Sequence, residues 1–396
     1  MIKSREINFL VGNKNFKKKI LKPYDEEICK FLSKLSKELN KIKDSNMYPD
    51  IKTLSFFCRE KNIERLKNNF LKYNLNLRSG LGLLFHITPS NIPVNFAYSL
   101  IFGLLTGNSN IIKVPSNNFI QIKLICTVIN KILKNNFKNI RDMINVVKYK
   151  DNDEFTKLIS SKCDARIIWG GDKTIQKIRN FEINPRAFDL SFADRYSLSI
   201  INSKKFSQLK SSEVKSLLNK FYNDTYIVDQ NACSSPHLVI WYGKIKKSTI
   251  EKFWNSLSEI VDKKYDLTED MIMTKYTKLC KEIISNNNTS ISKYKNNIYA
   301  IDLKKLNTDI NNFRGVYGYF YQAKIKNLNY LNKIINKKVQ TLTYFGFNKN
   351  FFQKFFTNNF LQGIDRVVPM GQALDIDLIW DGYNLNSTLT RIIDIR

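Results

Sequence analysis

Residues 83–116 read LLFHITPSNIPVNFAYSLIFGLLTGNSNIIKVPS, in which two short apolar runs flank a longer segment with the apolar spacing of a helix. The runs at 83–87 and 111–114 are predicted strands, and 95–105 is a predicted helix. The alternation continues with a predicted helix at 119–137 and predicted strands at 144–147 and 166–169. Strands that alternate with helices predict a parallel sheet covered by helices. The sequence therefore predicts an α/β fold, in which ligands bind beyond the carboxyl ends of the strands.

The length of the chain predicts more than one domain. A single hydrophobic core stops growing at about 250–300 residues, and this chain has 396 residues, of which 43% are hydrophobic. Two further predicted strands, at 196–201 and 238–241, open a second region that continues to about residue 365. We therefore expect two packed domains.

Composition and charge restrict the class of protein. A formal net charge of +29 is compatible with a nucleic-acid partner, but the lysines are spread among many Asn and Ile residues, so we expect no specific nucleic-acid binding. No apolar stretch reaches the ~18–20 residues of a membrane span, and the N-terminal residues lack the apolar segment of an export signal. The six cysteines form no CxxC pair. We expect a cytoplasmic protein without a disulfide framework or a metal site.

A rigid turn follows the first predicted strand. Pro89 and Pro93 restrict the backbone around Asn91, so its side-chain amide is held at the carboxyl end of a strand. An amide donor in that place can stabilise an oxyanion. The alternative is that Asn91 caps the helix that begins near Val94.

Gly170 and Gly171 lie between the predicted strand at 166–169 and a short helical stretch. Glycines at the N-terminus of a helix let backbone amides approach a phosphate group. A plain tight turn explains the pair equally well.

Cys233 lies among small, polar residues in the segment DQNACSSPH at 229–237, whereas Cys126 and the other cysteines have the surroundings of inert core residues. Small neighbours leave room for an acyl substrate and place backbone amides beside the sulfur, where they favour a thiolate and can bind an oxyanion. His237 follows four residues later. We do not expect it to be the general base, because it lies on the ensuing strand and points away from the thiol.

Together these segments resemble the aldehyde dehydrogenase superfamily, and most closely its LuxC-type acyl-CoA reductase branch. The stretches that carry the resemblance are FHITPSNIPVNFAYSLIFGLLTGNSNIIKVPS at 85–116, IIWGGDKTI at 167–175, FADRYSLSI at 192–200, DQNACSSPHL at 229–238 and DRVVPMGQALDIDLIWDG at 365–382. They span nearly 300 residues and follow the order of the family, whereas residues 1–78 contribute little.

The resemblance implies a parallel Rossmann-type domain for a nicotinamide cofactor and an α/β catalytic domain. It implies that Cys233 is acylated and that Asn91 and the Cys233 amide stabilise the oxyanion. It further implies a set of cofactor-binding residues: Thr88 and Pro89, Lys113 and Ser116 at the adenosine ribose, and Gly170 and Gly171 at the diphosphate. The expected division is a helical lead-in packing on the cofactor domain over 1–78, the cofactor domain over 79–196, the catalytic domain over 197–365, and a segment over 366–396 that returns to the cofactor domain or forms an oligomer interface.

Two departures from the superfamily sharpen the expectation. Hydrolytic relatives carry a Glu that activates water, and neither Asp189 nor Asp194 in the corresponding stretch aligns with it. A reductase does not use that water, so the absence of the Glu favours reduction. After Lys113, NAD-specific relatives place an acid that repels a 2′-phosphate, whereas this chain has Asn117, which favours NADPH. Val114 is an extra residue here, and the alignment can shift by one.

The sequence thus predicts an NADPH-dependent acyl-CoA reductase that converts a fatty acyl thioester, on CoA or on a protein, to the aldehyde through a Cys233 acyl-enzyme, without a metal. An acyl-activating ligase is an expected partner, and a homo-oligomer is the expected assembly. Two alternatives stay open: a hydrolytic aldehyde dehydrogenase, and a basic nucleic-acid-binding protein without catalysis. The sequence leaves open the acyl chain length and whether Asp189, Asp194 or His237 transfers a proton. Aromatic residues at 313–321 and 344–347 line a substrate tunnel or, as we favour, form core strands.

Overall fold

The computed structural model describes residues 7–43, 47–73, 76–150, 152–285, 290–304, 306 and 310–396. The first six residues, on which the export prediction rests, and parts of the predicted lead-in over 1–78 lie outside this description. The chain forms two compact units, one of Met1–Ala193 with Tyr383–Arg396 and one of Asp194–Gly382.

The first unit alternates helices and strands. Its elements are β1 Asn8–Val11, α1 Glu26–Leu39, α2 Pro49–Phe57, α3 Glu60–Tyr73, β2 Leu77–Gly80, β3 Leu83–Ile87, α4 Asn95–Leu105, β4 Ser109–Val114, α5 Ile120–Asn135, α6 Lys138–Arg141, β5 Ile144–Lys148, α7 Asp153–Lys162, β6 Ala165–Trp169, α8 Asp172–Arg179 and β7 Phe188–Phe192. The predicted βαβαβ pattern is confirmed. Each strand predicted over 83–169 is present, with its ends shifted by at most two residues.

A six-stranded sheet, in the order β1-β5-β4-β3-β6-β7, organises the described part of this unit. All neighbouring strands are parallel except β1, which pairs antiparallel with β5 at one edge. All five residues of β3 are buried, as expected for a central parallel strand covered by helices on both faces. Because β4, β3 and β6 are parallel neighbours, their carboxyl ends share one edge of the sheet.

A buried polar chain crosses the core of the first unit. The ring nitrogens of His86 lie 2.7 Å from Ser99 Oγ and 3.0 Å from Asn110 Oδ1. The indole nitrogen of Trp169 donates to the same Ser99 hydroxyl at 3.1 Å. Burial lowers the pKa of His86 to about 4, so its imidazole is neutral at pH 7. His86 therefore fixes the packing of α4 against the sheet.

The second unit has its own sheet and helices. Its elements are β8 Tyr196–Asn202, α9 Ser203–Ser207, α10 Ser211–Thr225, β9 Pro236–Tyr242, α11 Lys247–Lys264, α12 Glu269–Ser285, β10 Ser290–Tyr294, β11 Ile298–Asp302, β12 Tyr319–Ile325, α13 Leu331–Ile334, β13 Val339–Phe345, α14 Lys349–Asn358, β14 Arg366–Pro369 and β15 Ile379–Trp380. Within the described residues the sheet has seven strands in the order β10-β11-β12-β9-β8-β13-β14, with β10 alone antiparallel to its neighbour. Of the two aromatic segments, residues 319–321 lie in β12 and residues 344–345 lie in β13, and Tyr319 and Tyr321 of β12 are fully buried.

The chain ends in the first unit, with β16 Tyr383–Asn384, α15 Leu385–Thr388 and β17 Thr390–Ile393. There β17 pairs antiparallel with β2. Asn108 Nδ2 donates to the Leu389 carbonyl at 2.9 Å, which anchors this last segment beside β4. Along the described part of the chain, none of the helices has the length and hydropathy to cross a membrane.

Candidate active site

Three of the predicted cofactor residues meet at the carboxyl ends of β3 and β4. The amide nitrogen and hydroxyl of Thr88 both donate to the carbonyl of Lys113, at 3.1 and 2.9 Å. Thr88 is buried, whereas Pro89 beside it is partly exposed. These bonds extend the parallel pairing of the two strands by one step. The start of the loop after β3 is therefore fixed against β4.

The loop after β4 carries the predicted ribose residues. The Lys113 ammonium lies 5.1 Å from the centre of the Tyr149 ring, and Lys113 is partly exposed. Ser116 and Asn117 are exposed. The Lys148 ammonium reaches this loop from the end of β5, where it donates to Asn118 Oδ1 at 2.5 Å and to the Asn117 carbonyl at 3.4 Å. A polar, exposed loop with two lysines beside it fits a nucleotide.

Gly170 and Gly171 have different positions. The Gly170 amide donates to the Phe192 carbonyl at 3.2 Å and so continues the pairing of β6 with β7. Gly171 is the N-cap residue of α8, and a Cβ there meets no other atom within 4 Å. The open space lies at a helix N-terminus, which favours an anion, although Asp172 in the first turn opposes one. Of the two glycines, Gly171 fits a diphosphate better.

Asn91 is not the cap of α4. The helix begins at Asn95, and its N-cap residue is Val94, which makes no side-chain cap hydrogen bond. The capping alternative for Asn91 is therefore wrong. Asn91 is exposed on the turn that follows β3, where its amide is compatible with a role as a donor.

Cys233 lies in the second unit, in the loop that leads into β9. It is partly exposed. The prediction that the other cysteines are core residues is confirmed for Cys58, Cys126 and Cys163, which are buried. It is wrong for Cys29 and Cys280, which are partly exposed, so exposure alone does not distinguish Cys233.

The loop before Cys233 is strained and clamped. Asp229 and Gln230 are non-glycine residues with φ of 54° and 61°, a left-handed conformation that costs roughly 1–2 kcal/mol per residue. The buried Gln230 amide donates to the carbonyls of Pro236 and Tyr319 at 3.2 and 3.3 Å, and its oxygen accepts from the Gly318 amide at 3.0 Å. These bonds hold the conformation, as is common where strain serves a site.

The pKa of the Cys233 thiol depends on groups that its local sequence does not contain. The backbone amide of Arg195 lowers this pKa, as does the charge of Arg314. Although the residue is partly exposed, the surrounding protein removes most water from the thiol, and this desolvation has the larger effect and raises the pKa of Cys233 above that of an ordinary thiol. The sequence predicts that backbone amides favour the thiolate. In the structure, desolvation has a larger effect than the amide and favours the protonated thiol.

Arg195 is a residue of this site to which the sequence analysis assigned no role. Its guanidinium donates to Asp381 Oδ1 at 2.8 Å, to Asp365 Oδ2 at 2.5 Å and to the Val339 carbonyl at 2.9 Å. The segments FADRYSLSI and DRVVPMGQALDIDLIWDG thus meet beside Cys233. Their presence among the resembling stretches was the signal that could have pointed to Arg195.

Further contacts fix the Cys233 carbonyl and the segment at Arg195. The Ser197 hydroxyl donates to the Cys233 carbonyl at 2.6 Å and accepts from the Thr341 amide at 3.1 Å. Arg314 donates to the carbonyl of Arg195 and to Asp194, both at 2.9 Å. Cys233 is therefore held directly by Ser197 of β8, which is bound in turn by β13, and Arg314 from the loop before β12 holds the neighbouring Arg195.

His237 has a structural environment. Its Nδ1 lies 3.0 Å from the Gly315 carbonyl, and its ring centre lies 5.4 Å from that of Tyr196. Burial lowers the pKa of His237 to about 3, with the charge of Arg314 acting in the same direction. A neutral, buried imidazole bound to the backbone fits the expectation that His237 is not the general base.

Asp189 and Asp194, the acids of the stretch in which hydrolytic relatives carry a Glu, form ion pairs. Asp189 lies in β7 and accepts two bonds from the buried guanidinium of Arg166, at 2.6 and 2.9 Å. Asp194 accepts from Arg314. Within the described residues, no group of three or more His, Cys, Asp and Glu side chains is placed to hold a metal ion.

Known proteins resemble this chain in sequence and in fold. A family model described as acyl-CoA reductase (LuxC) matches residues 59–392. A curated relative, the long-chain acyl-protein thioester reductase of Aliivibrio fischeri, is 26% identical over 185 residues, which make up 46% of this chain and 36% of that protein. The match thus spans only about a third of the relative's length.

Solved structures share the fold at low identity. A salicylaldehyde dehydrogenase from Pseudomonas putida G7 has a TM-score of 0.63 and 12% identity, with 94% of this chain and 85% of that chain covered. A mutant 1-pyrroline-5-carboxylate dehydrogenase from Thermus thermophilus has a TM-score of 0.62 and 10% identity, with 94% and 82% covered. The predicted fold class is confirmed: the chain has an aldehyde-dehydrogenase-like fold and belongs to the LuxC acyl-CoA reductase family.

Proposed function

We propose that this protein reduces an acyl thioester to the aldehyde with NADPH, through an acyl-enzyme on Cys233. The observation that carries the proposal is the setting of Cys233: a partly exposed cysteine after a strained, clamped loop, with its own carbonyl held by the Ser197 hydroxyl. Membership of the family supports the same reaction. A strained loop held by buried hydrogen bonds is the setting expected of a positioned nucleophile.

In the proposed reaction the Cys233 thiolate attacks the carbonyl carbon of the thioester. A carbon–sulfur bond forms, the bond to the donor sulfur breaks, and the donor thiolate leaves. The step exchanges one thioester for another, so little bond energy is lost. Backbone amides at Cys233 and the side-chain amide of Asn91 are the proposed donors to the oxyanion.

The raised pKa of the Cys233 thiol affects its attack on the thioester. At pH 7 most of Cys233 is protonated, so the thiolate forms when its proton leaves with or before acyl transfer. The buried carboxyl of Asp381 and that of Asp194 both act against the thiolate. We therefore propose that Arg195 and Arg314 oppose these acids by holding them in ion pairs.

The nicotinamide cofactor is proposed to bind at the carboxyl edge of the first sheet. Thr88, Pro89, Lys113, Ser116 and Gly171, with Gly170 behind it, are the residues proposed to hold it. The exposed polar loop at Ser116 and the open space at Gly171 fit a nucleotide. When bound, the cofactor supplies the hydride that converts the acyl group to the aldehyde and releases the Cys233 thiolate.

We propose a fatty acyl group, a cytoplasmic location, an acyl-activating ligase as partner and a homo-oligomer.

The predicted segment 366–396 divides at residue 383, because residues 366–382 belong to the second unit, where β14 pairs with β13. We propose that 79–196 binds the cofactor and that 197–365, with 366–382, carries the thiol chemistry, whereas 1–78 and 383–396 support the cofactor domain or an interface. The pairing of β17 with β2 and the bond from Asn108 to Leu389 support a return of the last residues to the first unit.

The test is aldehyde formation from acyl-CoA thioesters of graded chain length and NADPH, followed by chromatography of the product. We expect aldehyde with the wild-type protein, none above background with Cys233→Ala, and unchanged rates with Cys280→Ala, a second partly exposed cysteine. Acid formed from aldehyde and NADP+ without CoA would instead indicate a hydrolytic dehydrogenase. Salt-sensitive DNA binding that survives Cys233→Ala, without any turnover, would refute the proposal.

A further inference from the structure

Lys148 is the last residue of β5 and lies at the sheet edge that carries the proposed cofactor residues. In the parallel pairing of β4 with β5, Lys148 lies opposite Val114, and Val147 lies opposite Lys113. Residues that are paired in this way share a face of the sheet, so the two lysines leave their strands on opposite faces. Lys113 and Lys148 therefore lie on opposite faces of the sheet at its carboxyl edge, where the chain leaves β4.

The contacts of Lys148 join it to the loop after β4. Its ammonium lies 2.5 Å from Asn118 Oδ1 and 3.4 Å from the Asn117 carbonyl. Both partners are neutral oxygens, so these bonds orient the ammonium without cancelling its charge. Lys148 is partly exposed, and Ser116, Asn117 and Asn118 are exposed. The positive charge therefore faces an accessible polar loop.

We infer that Lys148 is the residue that selects a phosphomonoester on the ribose and thereby sets the preference for NADPH over NADH. The inference rests on the proposed function, in which Ser116 and Lys113 hold the ribose. A ribose on Ser116 brings its substituents close to Asn117, whose carbonyl is already in contact with the Lys148 ammonium. A phosphate dianion there displaces a neutral oxygen from the ammonium and gains a charge-assisted bond. A free hydroxyl in the same place gains much less.

Lys148→Gln separates the charge from the hydrogen bond, because the Gln amide can still donate to Asn118. We expect the Kd for NADPH, measured by calorimetry, to rise about tenfold to a hundredfold, the range of one lost charge-assisted bond. The Kd for NADH should change less than threefold. Adenosine 2′,5′-bisphosphate should follow NADPH, and 5′-AMP should follow NADH. Lys148→Arg, which keeps the charge, should restore most of the preference.

Lys162→Gln is the matched control, because this exposed lysine ends α7, which leads away from the carboxyl edge. It should alter neither Kd. If Lys148→Gln weakens NADPH and NADH equally, Lys148 only anchors the loop and the inference fails, while the proposed function stands. If neither Kd changes, the inference fails in the same way. If the wild-type protein binds neither cofactor and makes no aldehyde, the proposed function itself fails and the inference with it.

Discussion

Replacement of Arg195 by Met tests whether its ion pairs hold the thiol site together. The guanidinium binds Asp381, whose side chain is 4% exposed, and Asp365, whose side chain is 30% exposed. Removing one partner of a buried ion pair costs about 3–5 kcal/mol because the other charge is left buried. The partly exposed Asp365 pair adds at most about 1 kcal/mol. We therefore expect Arg195→Met to lower the free energy of unfolding by about 3–5 kcal/mol.

The loss should depend on pH in a definite direction. Burial already raises the pKa of Asp381, and Arg195 acts against that rise. Without Arg195 the folded-state pKa of Asp381 rises further, so the folded protein binds a proton that the unfolded chain releases. Stability then falls as the pH rises. The deficit of Arg195→Met should be larger at pH 8 than at pH 5.

Urea unfolding followed by tryptophan fluorescence measures this effect, since Trp241 and Trp254 are fully buried in the same unit. Asp381→Asn supplies the double-mutant cycle, because it removes the buried charge. In the Asp381→Asn background, Arg195→Met should cost much less than in the wild-type protein. A deficit below about 1 kcal/mol at pH 7, or equal deficits in both backgrounds, would show that the pair does not carry this stability.

Three further predictions concern titration and ion pairing. Alkylation of Cys233 by iodoacetamide, followed by peptide mapping, should still accelerate between pH 8 and pH 9, because burial raises the pKa of the thiol; a plateau below pH 8 would contradict this. Arg166→Met should lower the free energy of unfolding by about 3–5 kcal/mol, because it leaves Asp189 without its buried partner, and a deficit within error of zero in urea would count against the pair. Burial raises the pKa of Asp224 to about 7, so between pH 4 and pH 7 the wild-type protein should lose stability relative to Asp224→Asn as the pH rises; parallel pH profiles would disprove the shift.

The core of the fold could be predicted because buried parallel strands leave a strong signal. Every residue of the runs at 83–87 and 144–147 is buried because both faces of those strands are covered, and each run holds a single polar residue, His86 or Asn145. The edge strand β1 was missed because only its last residue is buried. The pairing of β2 with β17 was missed because the partners lie some 300 residues apart, and no local pattern reports such a pairing.

The candidate site could be predicted only in part. Cys233 was distinguished by its small neighbours, but the rise of its pKa depends on burial, which a local stretch does not reveal. Arg195 received no role because its partners, Asp365 and Asp381, are brought to it by the pairing of β8, β13 and β14. The left-handed conformation of Gln230 could not be predicted, because no glycine marks the position. Buried hydrogen bonds to the carbonyls of Pro236 and Tyr319 hold it.

Acylation of Cys233 in the absence of any cofactor is the central claim, and intact-protein mass spectrometry measures it directly. After incubation with a fatty acyl-CoA, we expect the mass of the wild-type protein to increase by one acyl group, with free CoA released in equal amount. The adduct should map to the peptide that contains Cys233 and should be absent from Cys233→Ala but present in Cys280→Ala. An unchanged mass under conditions that yield aldehyde once NADPH is added, or an adduct that persists in Cys233→Ala, would contradict the account.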